Sequence, residues 1–200
     1  MAELPLFPLR SVLFPDGLLE LKVFEVRYLD LIAACLRDNT GFAVVRLKRG
    51  SEVRGGDEAV ALESVGTRAQ LLEVDSAQAG ILMVRCRGAE RLQIGASRQQ
   101  ADGLWLAETT PIEPDRTVAP PAALEPVARG LADAIAALAS QGADPFLLPH
   151  RFDDAGWVAN RWCELLPIPM PAKQKLMELP DPALRLEVVA DILRRKGAGS

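Results

Sequence analysis

Four prolines fall within the eleven residues 111–121 (PIEPDRTVAPP). Proline fixes φ and has no backbone N–H to donate, so neither a helix nor a central strand runs through such a segment. The residue pattern changes at the same place. Before the prolines, short apolar runs are broken by Gly and Asp turns; after them, apolar residues recur at helical spacing. The segment therefore reads as a linker between a β-rich part over 1–115 and a helical part over 122–197.

In the first part the pattern predicts strands over 4–9, 18–24, 42–48, 65–74, 81–88, 91–97 and 104–110. Pro15-Asp16-Gly17 predicts a reversal between the first two, residues 75–80 and Ala89-Glu90 separate later ones, and Asp102-Gly103 is a strong hairpin signal. Apolar and charged residues alternate in Leu19-Glu20-Leu21-Lys22-Val23, as in a half-exposed strand. Short strands with tight turns predict a folded-over antiparallel sheet or a small barrel. Residues 25–37 (EVRYLDLIAACLR) break the pattern: Val26, Leu29, Ile32, Ala33 and Leu36 have helical spacing, with Arg27, Asp30, Arg37 and Asp38 largely opposite. One helix is thus expected to cover an open end of the sheet.

After the prolines, 122–141 carries Leu124, Val127, Leu131, Ile135 and Leu138 in one stripe, with Gly142 as a stop. A second helix is expected over 153–166. Pro167, Pro169 and Pro171 break the chain before a short helix over 172–179. Asp181-Pro182 is an N-cap followed by a first-turn proline, opening a last helix over 182–196 with Leu184, Val188, Val189, Ile192 and Leu193 expected inside.

Composition narrows the function classes. An apolar share of 49% with 25% charged residues excludes a disordered chain. The 23 basic and 27 acidic residues leave a net charge of −4, the opposite sign to proteins that hold nucleic acid by counterion release. Cys35, Cys86 and Cys163 lie far apart and form no CxxC pair, which excludes a disulfide framework and a zinc spacing. They read as buried thiols of a reducing compartment. The N-terminus lacks a basic start and apolar run, and no stretch suits a membrane span, so the expectation is a cytoplasmic protein.

Several motifs resemble one family. Leu4-Pro5-Leu6-Phe7-Pro8-Leu9-Arg10, then Leu13-Phe14-Pro15-Asp16-Gly17, then Val23-Phe24-Glu25-Val26-Arg27-Tyr28 resemble the start of the Lon substrate-binding (N-terminal) domain. Gly66-Thr67-Arg68-Ala69, Gly88-Ala89-Glu90-Arg91-Leu92-Gln93-Ile94, Leu166-Pro167-Ile168-Pro169, the stretch 173–179 (KQKLMEL) and Arg185-Leu186 follow in the family's order. The family commonly has proline where this chain has Val26, and Asp16 lengthens its FPG turn by one residue. The resemblance implies an α+β fold: a small curved antiparallel, PUA-like β-barrel with one inserted helix, then an α-helical bundle. It implies recognition and not proteolysis, because the full Lon protease appends an ATPase module and a Ser-Lys protease domain, for which a chain stopping at Ser200 leaves no room.

No chemistry of its own is legible. There is no G-x-x-x-x-G-K-[ST] and no G-x-S-x-G. The single histidine, His150, lies near Asp153 and Asp154 but lacks a second nitrogen ligand, so it reads as a surface or capping residue. No catalytic residue, metal or cofactor is expected. Three segments could bind a partner. In Phe24, Glu25, Arg27 and Tyr28 the acid favours a helix start, while Arg27 and Tyr28 could meet a peptide. Phe146, Leu147 and Leu148 form an apolar run in a loop, either pinned to a core or exposed as a sticky patch. Trp157 and Trp162, five apart, read as packing between the two parts, with one of them exposed as the alternative. Sheet edges offer unpaired N–H and C=O groups to an extended chain. The expected function is therefore a non-catalytic module that binds unfolded or extended segments of partner proteins. An RNA-binding PUA-like protein is the alternative, with Arg46, Lys48, Arg49 and Arg54 as its basic strip; a hydrolase is the third.

Overall fold

Pro15 and Asp16 make the first reversal. Asp16 takes a left-handed backbone (φ 60°), Gly17 N–H donates to the Phe14 carbonyl at 2.9 Å, and Asp16 N–H donates to the Gly88 carbonyl at 2.7 Å. The positive φ expected of a turn glycine thus falls on the inserted aspartate. Its carboxylate accepts from Arg87 Nε at 3.0 Å.

The structure, a computed structural model, describes residues 2–49 and 60–197. The chain divides into two compact units, Met1–Pro114 and Asp115–Ser200. The first holds β1 (Ala2–Leu9), β2 (Leu18–Val23), α1 (Val26–Asp38), β3 (Phe42–Arg49), β4 (Ala61–Gln78), β5 (Ile81–Gln99) and β6 (Trp105–Pro111). They form one sheet in the order β2-β5-β4-β3-β1-β6, and β5 also pairs with β6. The sheet folds over on itself without becoming a regular barrel, because β5 pairs with β2 through its first half and with β6 through its second.

Four expectations need correction here. Ala89-Glu90 is no turn: β5 runs through it, and the pairing with β4 shifts register instead. Not every pairing is antiparallel, since β1 and β3 run parallel; β2 and α1 lie between them and carry the chain back across the sheet. The buried face of α1 is Tyr28, Leu31, Ile32 and Cys35, with Arg27 also buried; Val26 and Leu36 are 71% and 56% exposed. Counting Tyr28 and Cys35 as apolar moves the stripe round by one position, and the buried set then follows the i, i+3, i+4, i+7 rule. In the last helix Leu184 and Val188 are exposed, while Arg185, Leu186, Val189 and Ala190 are buried.

The α1 face packs on Phe7, Leu9, Leu21, Val23, Phe42 and Val44. A second cluster, Leu6, Ala43, Val45, Leu92 and Ala107, fills the other side of the strands. The family-like motifs hold this arrangement together. A Cβ on Gly66 would lie 2.5 Å from the Val44 carbonyl oxygen and one on Gly88 2.1 Å from that of Phe14. Thr67 Oγ1 donates to the Leu13 carbonyl at 2.7 Å.

The second unit holds a short 3-10 turn (Ala122–Leu124), α2 (Glu125–Ser140), α3 (Ala155–Leu165), α4 (Met170–Glu178) and α5 (Pro182–Gly197). Asp154 and Asp181 cap α3 and α5 through backbone N–H groups, as helix N-termini require. Arg185, 1% exposed, donates to Asp115 (2.7 Å), Asn160 (3.1 Å) and the Leu176 carbonyl (2.9 Å), and also to the Leu179 carbonyl. Residues 115–118 are thereby fastened to this unit rather than left as a bare linker: the Val118 carbonyl also accepts from Ala155 N–H at 2.8 Å. The fold is mixed α+β. Among the described residues no helix is long and apolar enough to cross a membrane.

Candidate functional site

β2 is an edge strand: among the described residues it pairs with β5 alone. Gly88 N–H donates to the Gly17 carbonyl at 2.9 Å, and this sets the hydrogen-bonding parity of the ladder. With Leu19 opposite Cys86 and Leu21 opposite Val84, the backbone groups of Leu19 and Leu21 turn toward β5. Those of Glu20 and Lys22 turn away from it. Side chains alternate independently: Leu21 and Val23 are buried, and Glu20, Lys22 and Phe24 are exposed.

Beside this edge lies a groove of about 220 Å³, bordered by Phe7 and Leu9 of β1, residues 20–25 and Tyr28. Its floor is apolar. Phe7 and Tyr28 stack with ring centroids 4.1 Å apart. Phe24 is 54% exposed at its mouth. Glu25 precedes α1 in extended backbone and makes no side-chain capping bond; its carboxylate pairs with Arg27 at 3.0 Å. Arg27 also donates to the Gly103 carbonyl at 2.7 Å and lies over the Tyr28 ring, 4.5 Å from its centroid. Arg27 thus does not border the groove but holds two residues that do.

Of the expected site residues, Phe24, Glu25 and Tyr28 come together here. The others lie in the second unit. Phe146 and Trp157 are buried with centroids 6.5 Å apart, and the Arg161 guanidinium lies within 5.6 Å of the Phe146 ring centroid and 5.8 Å of the Trp157 centroid. Trp162 is half-buried and its indole N–H donates to the Val127 carbonyl at 3.0 Å. Leu147 is half-buried, and Leu148 is 75% exposed. His150 packs its ring against Phe152 and Trp157, so it is a member of an aromatic cluster rather than a surface or capping residue. No cluster of ligating side chains suited to a metal occurs among the described residues. In the basic strip, Arg46 and Lys48 both pair with Glu63, Arg49 is exposed, and Arg54 lies outside the described residues.

Sequence reasoning missed Phe7, Leu9, Leu21, Val23 and Lys22. The strict alternation of 19–23 was the available signal: a half-exposed strand whose outer row is charged is a common way of protecting a sheet edge.

The thiols offer no nucleophile. Burial pushes Cys86 and Cys163 up to about 12, and it raises Cys35 as well; a thiol held protonated is a poor nucleophile.

The family model for the ATP-dependent protease La (LON) substrate-binding domain matches residues 3–195. The chain is 28% identical over 200 residues to a Lon protease of Anaeromyxobacter dehalogenans (strain 2CP-C), covering 98% of this chain but only 23% of that protein. Among solved structures, the Lon N-terminal domain protein from Xanthomonas campestris superposes with a TM-score of 0.77 at 30% identity, covering 96% of this chain and 98% of that one. The N-terminal domain of a Mycobacterium avium complex Lon protease shares the fold, with a TM-score of 0.62 at 19% identity over 95% of this chain and 97% of that one. A match over almost every residue, on a fold that agrees with it, means that this chain belongs to the ATP-dependent protease La (LON) substrate-binding domain family.

Proposed function

We propose that the chain binds unfolded or extended segments of other proteins in the groove beside β2. The observation that carries this reading is the juxtaposition of a strand edge, unpaired among the described residues, with an apolar floor and a half-exposed aromatic, Phe24. The edge offers backbone hydrogen bonds to any sequence, and the floor takes apolar side chains, which together give tolerant binding. The family match supports a role in substrate recognition. The side chains around the groove hold or orient a guest.

The test is a fluorescence-anisotropy titration of a permanently unfolded, reduced and carboxymethylated polypeptide against its native, disulfide-bonded form. The unfolded form is expected to bind and the native form not. Phe24→Ser should weaken binding by about tenfold, the value of burying much of one aromatic side chain. Equal retention of both forms, or an unchanged affinity in Phe24→Ser, overturns the reading.

A further inference from the structure

Among the described residues the strand pairings leave one position in the first unit without a strand. β1 pairs with β6 from Ala2↔Thr109 to Leu6↔Trp105, where that ladder ends. On its other side β1 pairs with β3 from Leu6 to Leu9. Residues 7–9 thus have a neighbouring strand on one side only among the described residues, and β2 likewise. These two open edges border the same groove, since Phe7, Leu9 and residues 20–23 all line it. The ring β5-β4-β3-β1-β6 is joined where β6 meets β5 and gapped where β2 faces the end of β1.

We infer that the groove takes its guest as an added β-strand hydrogen-bonded to β2, and that it prefers a segment with an acidic residue facing Lys22. This rests on the polypeptide-binding reading above. β2 is the edge that supplies the bonds, because the backbone groups of Glu20 and Lys22 turn outward from the β5 ladder. A guest strand alternates as β2 does. Its inward residues meet Leu21, Val23, Phe7 and Leu9 and are apolar. Its outward residues lie beside Glu20, Lys22 and Phe24, where the charges decide. Glu20 shares Arg85 with Glu73 (3.4 and 3.1 Å), and Glu25 is held by Arg27 at 3.0 Å. Lys22 is thus the charge of this strand left without an ion pair among the described residues, so a carboxylate is the complementary group directly opposite it, despite the chain's net charge of −4.

The test uses the full chain and short fluorescent peptides with alternating apolar residues and a central outward Asp, Asn or Lys. The Asp peptide is expected to bind about threefold tighter than the Asn peptide and the Lys peptide weakest, in keeping with a solvent-exposed ion pair. Lys22→Glu should invert that order, its own folding being checked by circular dichroism. Separately, on the unmodified protein, N-methylation of every second peptide amide in one alternating set should weaken binding more than tenfold, and methylation of the other set should leave it unchanged. Peptide binding that is insensitive to the methylation set, or an order that Lys22→Glu does not invert, overturns the strand-addition inference while leaving the polypeptide-binding reading in place. No binding of any peptide or of unfolded polypeptide overturns both.

Discussion

The Arg27 guanidinium lies over the Tyr28 ring, 4.5 Å from its centroid, while also bonding Glu25 and the Gly103 carbonyl. One buried cation therefore ties the start of α1 to the β5–β6 turn and orients two residues of the groove. Arg27→Met keeps the apolar stem and removes the charge. It should lower unfolding free energy by about 2 kcal/mol, less than the ~3–5 kcal/mol of breaking a fully buried pair, because Glu25 retains contact with water. A urea midpoint within error of the unmodified protein would show that the triad contributes nothing.

Arg185 is the counterpart in the second unit. Its donors satisfy Asp115, Asn160 and two carbonyls. Arg185→Met should cost roughly 3–5 kcal/mol, more than Arg27→Met although Asp115 also keeps contact with water, because the buried Asn160 and two carbonyls lose their donor as well. Arg185→Lys should recover only part, as an ammonium cannot reproduce the planar fork. Thermal unfolding of the two variants checks the order, and equal midpoints would contradict it.

Asp16 occupies a left-handed position with φ 60°, which costs a side-chain-bearing residue about 1 kcal/mol. Its exposed contact with Arg87 returns little. Asp16→Gly should therefore stabilise by about 0.5 kcal/mol. Asp16→Val, β-branched at the same φ, should destabilise by more than about 1 kcal/mol. Denaturant midpoints for the pair decide it; a stabilised valine variant would refute the assignment of strain.

The buried thiols give a pH dependence of defined sign. Cys86 and Cys163 hold their protons up to about 12 when folded, against 9.0 as the ordinary value. Between these values the unfolded chain releases protons that the folded chain keeps, so stability falls as pH rises through that window and is fully present below it. Each thiol adds up to about 1.4 kcal/mol per pH unit to the slope. Cys86→Ala and Cys163→Ala should each flatten the stability curve above pH 9 relative to the unmodified protein. Parallel curves would remove the thiols from the account.

Much of this is legible in the residue order alone. The Pro15-Asp16-Gly17 reversal, the Asp102-Gly103 hairpin and the Asp181 cap all follow from short-range backbone chemistry, whereas the Asp154 cap lies inside the helix expected over 153–166. Which face of α1 or α5 goes inside did not follow as readily. Neighbouring stripes on each helix are both apolar enough, and the choice was made by what the opposing strands or helices presented. Arg27 and Arg185 are buried against the grain of composition, because partners distant in the chain supply their acceptors, and Arg161 pairs with Glu164 one turn on in its own helix.

The residue pattern alone was enough for an α+β content and the family's motifs in order, since these depend on periodicity and on neighbours along the chain. The groove belongs to the assembled sheet. Leu9 and Lys22 border one opening only because β1 turns to β3 and β6 while β2 turns to β5, and pairings between such distant segments are set by the packing of the whole core, which no local stretch encodes.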